Sequence, residues 1–167
     1  MSPQEYATAF RLLAASARHP EYLGRFVEER LLSQLPKQPT LLDVGAGSGK
    51  VAERLAPHFA SLTLLEPNPN QLAGLKLDKA TVHVEPLERF HSTEKYDVVL
   101  CSHVLYHVPP SDWAGFIDRT LSFVRPGGYC LFVMTAARGE TYELCRDFSE
   151  SLIFSDHMIS AVRQMRL

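Results

Sequence analysis

The chain predicts a doubly wound, mostly parallel α/β sheet with helices on both faces, and three observations predict it. The stretch LLDVGAGSGKVAERL, Leu41 to Leu55, runs from a short apolar strand through a glycine turn into a helix whose one face carries Val51, Ala52, Leu55 and Ala56. A second apolar strand, with Leu62, Leu64 and Leu65, ends on an acid, Glu66. Beyond it, short apolar runs keep alternating with stretches of helical period, the pattern of parallel strands joined by crossover helices.

Each element follows in order. Tyr6, Phe10, Leu13 and Ala17 share one helix face, and Tyr22, Phe26 and Leu31 share another, with Pro20 suited to a first helical turn. Residues 1–38 thus form an N-terminal helical cap and 39–167 the sheet domain, the two making one structural unit. Strands are expected near Leu41 to Val44, Leu62 to Glu66, Thr81 to Val84, Val98 to Cys101 and Tyr129 to Met134, with helices between. Asn68 can cap the second core helix with Pro69 at its first position, and Ser111 with Asp112 can start the helix carrying Phe116, Ile117 and Leu121. Pro126, Gly127 and Gly128 read as a turn ahead of the fifth strand. Two helical stretches follow it, the second opened by Ser155 and carrying Met158, Ile159, Val162 and Met165.

Composition narrows the function classes. With 167 residues and 46% apolar content the chain can bury a sizeable core. A net charge of −2 and a pI near 6.4 give no electrostatic footprint for nucleic acid, which favours a small-molecule or protein partner. The three cysteines, Cys101, Cys130 and Cys145, lack metal-ligand spacing and come without a signal peptide, so a reducing cytoplasm is the simplest setting and no metal is expected. No apolar run approaches the ~20 residues that span a bilayer.

Glycine loops of this kind serve three cofactor classes, and spacing separates them. A phosphate loop needs G-x-x-x-x-G-K-[ST]; Val44 stands five positions before Gly49 and Val51 follows Lys50, so both ends fail. The dinucleotide fingerprint G-x-G-x-x-G starts at Gly45 and Gly47 but meets Lys50 where its third glycine belongs. What remains is D-x-G-x-G-x-G, Asp43 to Gly49, which resembles the first motif of class I S-adenosylmethionine (SAM) dependent methyltransferases. Glu66 lies where an acid meets ribose hydroxyls in doubly wound sheets. YDVVLCSHVLYHVPPSDW, Tyr96 to Trp113, resembles that family's fourth-strand region, and FVRPGGYCLFVM, Phe123 to Met134, its helix end, turn and fifth strand. The likeness covers Thr40 to Thr135, about 100 residues, the size of one domain.

The resemblance implies a Rossmann-like fold, SAM as cofactor and methyl transfer to a small-molecule acceptor. Carried over residue by residue, it has Asp43 orient the loop and the amino end of the methionine moiety, which Gly45, Ala46 and Gly47 line. Glu66 holds the ribose, Pro67 packs beside the adenosine, and Gln71 either reaches the cofactor or lies on the surface. Pro86 and Leu87 align with the adenine-contacting pair, with Glu85 or Glu88 in place of the family's usual acid, and Ser102 joins the cofactor set. Members of the family normally add two strands after the fifth, for which this sequence has no residues. Either the chain is a truncated form, or a second copy in a homodimer or a partner protein covers the exposed sheet edge.

Ser102, His103, Tyr106 and His107 follow the fourth strand at its C-terminal end, where open α/β sheets bind their ligands. A neutral imidazole can take a proton from an attacking amine or hydroxyl near pH 7, so His103, Tyr106 and His107 are the candidate catalytic residues. Packed or solvent-facing histidines are the competing reading. His19, His58, His83, His91 and His157 lack that context and read as surface or structural residues. Within the family, YATAFRLLAAS, LLEPNPNQLAGLK and VLYHVPPSDW together resemble the histamine N-methyltransferase group, where an N-terminal aromatic pair lines an amine pocket. Tyr6 and Phe10 match that pair and His103 falls at a substrate-binding position, which makes these three the candidate substrate contacts; helix packing is the alternative for the aromatics. Two other classes stay open. One is a non-catalytic, methyltransferase-like binding module completed by a partner or second copy. The other is an NAD-dependent oxidoreductase, disfavoured by Lys50 and by the lack of a Tyr/Lys or metal constellation.

Overall fold

A computed structural model describes residues 18–138, 143 and 155–164. Five strands pair in parallel: β1 (Thr40–Val44), β2 (Ser61–Leu65), β3 (Ala80–His83), β4 (Tyr96–Ser102) and β5 (Val124–Val133), in the order β3-β2-β1-β4-β5. β1, β2 and β4 are nearly continuous apolar runs because helices or turns cover both of their faces. The chain winds one way from β1 through β2 to β3, then crosses back to β4 and β5. This reversal opens a crevice at the C-terminal ends of β1 and β4, the place where such sheets bind ligands.

Strand alternation sends side chains to two cores. On one face, Leu41, Leu62, Leu64, Val98 and Leu100 meet Leu23, Val27 and Leu31 at the end of α1 (His19–Arg30) and Ala52 and Leu55 of α2 (Lys50–Leu55). On the other, Leu42, Val44, Val99 and Cys101 meet Trp113, Phe116 and Ile117 of α3 (Trp113–Leu121), with Met158, Ala161 and Val162 of α4 (Ser155–Gln164) packed alongside. Each such aliphatic side chain taken out of water contributes roughly 1.5–3 kcal/mol. At the end of the sheet away from the crevice, buried Asp97 joins three strands. Its Oδ2 accepts from Thr40 N–H (2.8 Å) and the Thr40 hydroxyl (3.0 Å), and its Oδ1 from Arg125 Nη1 (2.7 Å).

The expected sheet with helices on both faces is present, and six local expectations are corrected. The inward stripe of α1 is Leu23, Val27 and Leu31, while Tyr22 and Phe26 are 58% and 46% exposed, because the i, i+4, i+8 spacing sets the phase. The first cap helix, with Tyr6 and Phe10, lies outside the described residues, as do Met165 and the first helical stretch after β5. No helix forms after Asn68. Its side-chain oxygen accepts from Asn70 N–H (3.1 Å), but the chain then makes i to i−3 bonds, Gln71 to Asn68 (3.0 Å) and Leu72 to Pro69 (3.3 Å), and turns at Gly74 with φ 95°. Between β3 and β4 there is again a turn rather than a helix.

α3 does start after Asp112, behind a 3-10 turn at Pro110–Asp112, but without a side-chain cap; Ser111 donates to Asp112 instead. The Pro126 to Gly128 turn lies inside β5 as a bulge. Tyr96 faces Val124 and Val98 faces Tyr129, which leaves Arg125 to Gly128 out of step, with Gly127 at φ 79°. In α4, Ile159 faces solvent while Met158 and Val162 pack inward.

Candidate functional site

The loop leaving β1 turns on glycines at positive φ: Gly45 at 72°, Gly47 at 57° and Gly49 at 76°. Four of the amide hydrogens of this loop are already engaged. Gly45 and Ala46 N–H both donate to the Leu65 carbonyl (2.8 and 2.9 Å), Gly47 N–H to Glu66 Oε2 (2.9 Å) and Gly49 N–H to the Ala46 carbonyl (2.9 Å). Lys50 is paired with Glu53 (2.9 Å). The loop therefore presents carbonyl oxygens and two neighbouring carboxylates, a surface suited to positive charge and hydroxyl donors rather than to a pyrophosphate.

Those carboxylates end β1 and follow β2. Glu66 is held from both sides, Oε1 accepting from Asn68 N–H (2.8 Å) and Oε2 from Gly47 N–H, and each oxygen keeps a lone pair for a further donor. Burial pushes its carboxyl up, against the pull of those two N–H groups and of His107 nearby. Asp43 is 2% exposed; burial first, and the Glu66 charge second, push its carboxyl up to about 7. Gln71 is buried as well, and its Oε1 has no hydrogen-bond partner among the described residues. A buried acceptor left open, five residues beyond Glu66, can take a donor from a ligand. Pro67 is exposed.

The turn after β3 holds Pro86 half-buried and Leu87 with its side chain in the core. The carbonyls of Leu87 and Phe90 are gripped by Arg119 of α3, through Nε (2.8 Å) and Nη2 (2.7 Å). Glu85 is engaged with His83 (3.5 Å) and Glu88 is exposed.

At the end of β4 the structure brings together Ser102, His103 and Tyr106, and adds His19. His103 has φ 58°, the one positive value outside glycine among the described residues. That turn lays its ring over Tyr106 (5.7 Å between centroids) and edge-on to His19 (4.8 Å). Burial, and His19 close by, push its imidazole down to about 4. His19 Nε2 is 3.0 Å from Ser102 Oγ. The Tyr106 hydroxyl donates to Thr135 Oγ1 (3.0 Å) and accepts from Thr135 N–H (2.5 Å), fastening this segment to the end of β5. His107 is exposed.

Sequence reasoning reads His19 as a surface or structural residue, and the structure places it half-buried against Ser102. The missed signal is its spacing: positions 19, 23, 27 and 31 form one stripe, so His19 continues the buried face of α1 over the sheet's C-terminal end. His58 pairs with Glu28 (2.9 Å) away from the crevice. No metal-binding group of side chains occurs among the described residues. Nor is any helix among them long and apolar enough to cross a membrane.

Comparison with known proteins agrees with this geometry. A family described as a methyltransferase domain matches residues 15–165. The ubiquinone biosynthesis O-methyltransferase of Serratia proteamaculans is 35% identical over 101 residues, 56% of this chain and 41% of that protein. Its namesake from Methylocella silvestris is 36% identical over 107 residues, 59% of this chain and 40% of that protein. The chain thus matches about two fifths of the length of these curated relatives. Among solved structures, the N-methyltransferase NodS of Bradyrhizobium japonicum, in complex with S-adenosyl-L-homocysteine (SAH), superposes with a TM-score of 0.68 at 19% identity, covering 88% of this chain and 72% of that one. The DhpI–SAH complex gives a TM-score of 0.64 at 22% identity, covering 80% and 68%. With the family matched over nearly the whole chain and the sheet order in place, the chain belongs to the methyltransferase domain family, in its class I, SAM-dependent group.

Proposed function

We propose that this chain transfers a methyl group from SAM to a small-molecule acceptor, at a hydroxyl oxygen or an amine nitrogen. The observation that carries this reading is the Asp43 and Glu66 pair beside a glycine loop in which the amide hydrogens of Gly45, Ala46, Gly47 and Gly49 are already used. Such a site suits a cofactor bearing positive charge and ribose hydroxyls. SAM supplies a methyl on a positively charged sulfur, which keeps the bonding pair when the methyl leaves.

The chain's own residues position and shield. Glu66 accepts from the ribose hydroxyls, Asp43 with Gly45, Ala46 and Gly47 holds the amino end, and Gln71 Oε1 takes a further donor. Pro67, Pro86, Leu87 and Ser102 complete the cofactor side. His103, Tyr106 and His107 face the acceptor, with Tyr6 and Phe10 of the cap, residues 1–38, as further contacts to it besides those of the sheet domain, 39–167. Holding two reactants in line is itself worth several kcal/mol of barrier. The O-methyltransferase name of the curated relatives favours oxygen, while NodS keeps nitrogen in view. Free, half-buried or buried Cys101 and Cys130 fit a cytoplasmic setting, and a second copy of the chain over the outer edge of β5 fits the open strand.

Titration calorimetry of the chain with SAM, SAH and NAD, repeated on Glu66→Ala, tests the cofactor half. Micromolar SAM binding, on the order of −8 kcal/mol, lost in the variant and absent for NAD, is expected. NAD binding more tightly than SAM would overturn the reading, and SAM binding without transfer to any phenol or amine would make the chain a binding module.

A further inference from the structure

The His19 and Ser102 contact joins residues 83 positions apart, and it does so next to the cofactor loop. In the β1 and β4 register Val44 faces Cys101, so Ser102 stands beside Gly45. Ser102 follows Leu100 on the face that α1 covers, which is why the first residue of α1 reaches it. The left-handed turn at His103 sets a second imidazole against His19 and thereby narrows the rotamers open to it.

We propose that His19, acting through Ser102, takes the proton that the acceptor loses on methylation, so that the acceptor is a hydroxyl or a neutral amine. This rests on the methyl transfer proposed above. The acceptor's oxygen or nitrogen forms its new bond to the methyl carbon while the carbon–sulfur bond breaks and its electron pair stays on sulfur. The acceptor's proton passes to Ser102 Oγ as the Ser102 hydroxyl proton passes to His19 Nε2, leaving one imidazolium and a neutral thioether. His19 is thus a positioning residue and Ser102 the group that touches the acceptor.

The surroundings favour this division of labour. Burial lowers the His19 imidazole, partly offset by Glu21 on the same helix, which leaves the ring in the neutral form that can accept a proton. His103, lower still, does not compete for the proton. The other groups facing the pair are the neutral hydroxyls of Ser102, Tyr106 and, one residue further, Thr135.

The test uses the whole chain loaded with SAH, and the variants His19→Gln and Ser102→Ala. SAH binding within about twofold of the parent in His19→Gln separates this proposal from the cofactor reading, which fails instead if the parent itself does not bind SAH. By carbon-detected NMR, the His19 ring is expected to titrate below the free value of about 6.5 and to shift in Ser102→Ala. With SAM and phenol or benzylamine, His19→Gln is expected to lose on the order of 10²-fold in kcat at nearly constant KM and to flatten the acid limb of the pH profile. An unshifted His19 signal in Ser102→Ala, or a His19→Gln enzyme with full kcat and an intact acid limb, would overturn it.

Discussion

Val104 fills the space that a side chain at Gly45 would need: a Cβ built there overlaps Val104 Cγ2, and the φ of 72° already disfavours any residue but glycine. The loop after β1 and the segment after β4 therefore pack as one body, which ties the cofactor side of the crevice to the residues facing the acceptor. Gly45→Ala is expected to cost about 2–4 kcal/mol by urea unfolding, from overlap plus backbone strain. Adding Val104→Ala should recover the overlap part and leave the strain, a coupling that a double-mutant cycle measures directly.

Asp43 gives a pH dependence whose sign is fixed by its environment. Its folded-state carboxyl sits near 7 against a reference of 3.8, so the folded chain holds that proton more tightly than the unfolded one. Stability from this group is highest below 3.8 and falls as pH rises toward 7, by up to roughly 4 kcal/mol. Asp43→Asn should therefore raise Tm at pH 8 while weakening SAM binding by at least tenfold. A cationic ligand favours the ionised carboxylate, so SAM should bind more tightly from pH 6 to pH 8 and release protons, as calorimetry in two buffers of different ionisation enthalpy would reveal. Equal heats in both buffers would count against it.

Arg119 reaches across from α3 to hold the carbonyls of Leu87 and Phe90, and no other side chain among the described residues donates to that turn. Arg119→Ala should lower stability by about 1.5–3 kcal/mol and speed amide exchange over residues 86–90. Arg119→Lys, which lacks the planar fork, should recover less than half of the loss. Thermal unfolding with exchange mass spectrometry distinguishes these outcomes.

His103 separates backbone from side-chain effects. Asparagine tolerates φ 58° and a β-branched residue does not, so His103→Asn should stay within about 0.5 kcal/mol of the parent while His103→Val loses about 1–2 kcal/mol. Chemical denaturation of the two variants side by side is sufficient.

The parts legible in the sequence are those written in local pattern. The strand, glycine and acid order from Leu41 to Glu66 carries its own geometry, and the buried strands are continuous apolar runs. The phase of α1 is hard to read because Tyr22 and Phe26 outweigh Leu23 and Val27 in size, although spacing to Leu31 favours the latter. Asn68 and Pro69 look like a helix start, yet Gly74 and the i to i−3 bonds before it end the segment as turns. His19 on Ser102 and Arg119 on the Leu87 turn depend on contacts between distant segments, which no window of neighbouring residues encodes.

The bulge in β5 has a bearing on how this protein behaves in a crowded solution. Among the described residues β5 has one neighbour, β4, and a strand open on one side invites copies to pair edge to edge. Pro126 offers no amide hydrogen, and the residues from Arg125 to Gly128 stand out of step with the ladder. The regular part of the ladder is Tyr129 to Val133, a short edge for an incoming chain to read. Straightening that kink, for instance by replacing Pro126 and Gly127 with valines, would exchange a guarded edge for a sticky one.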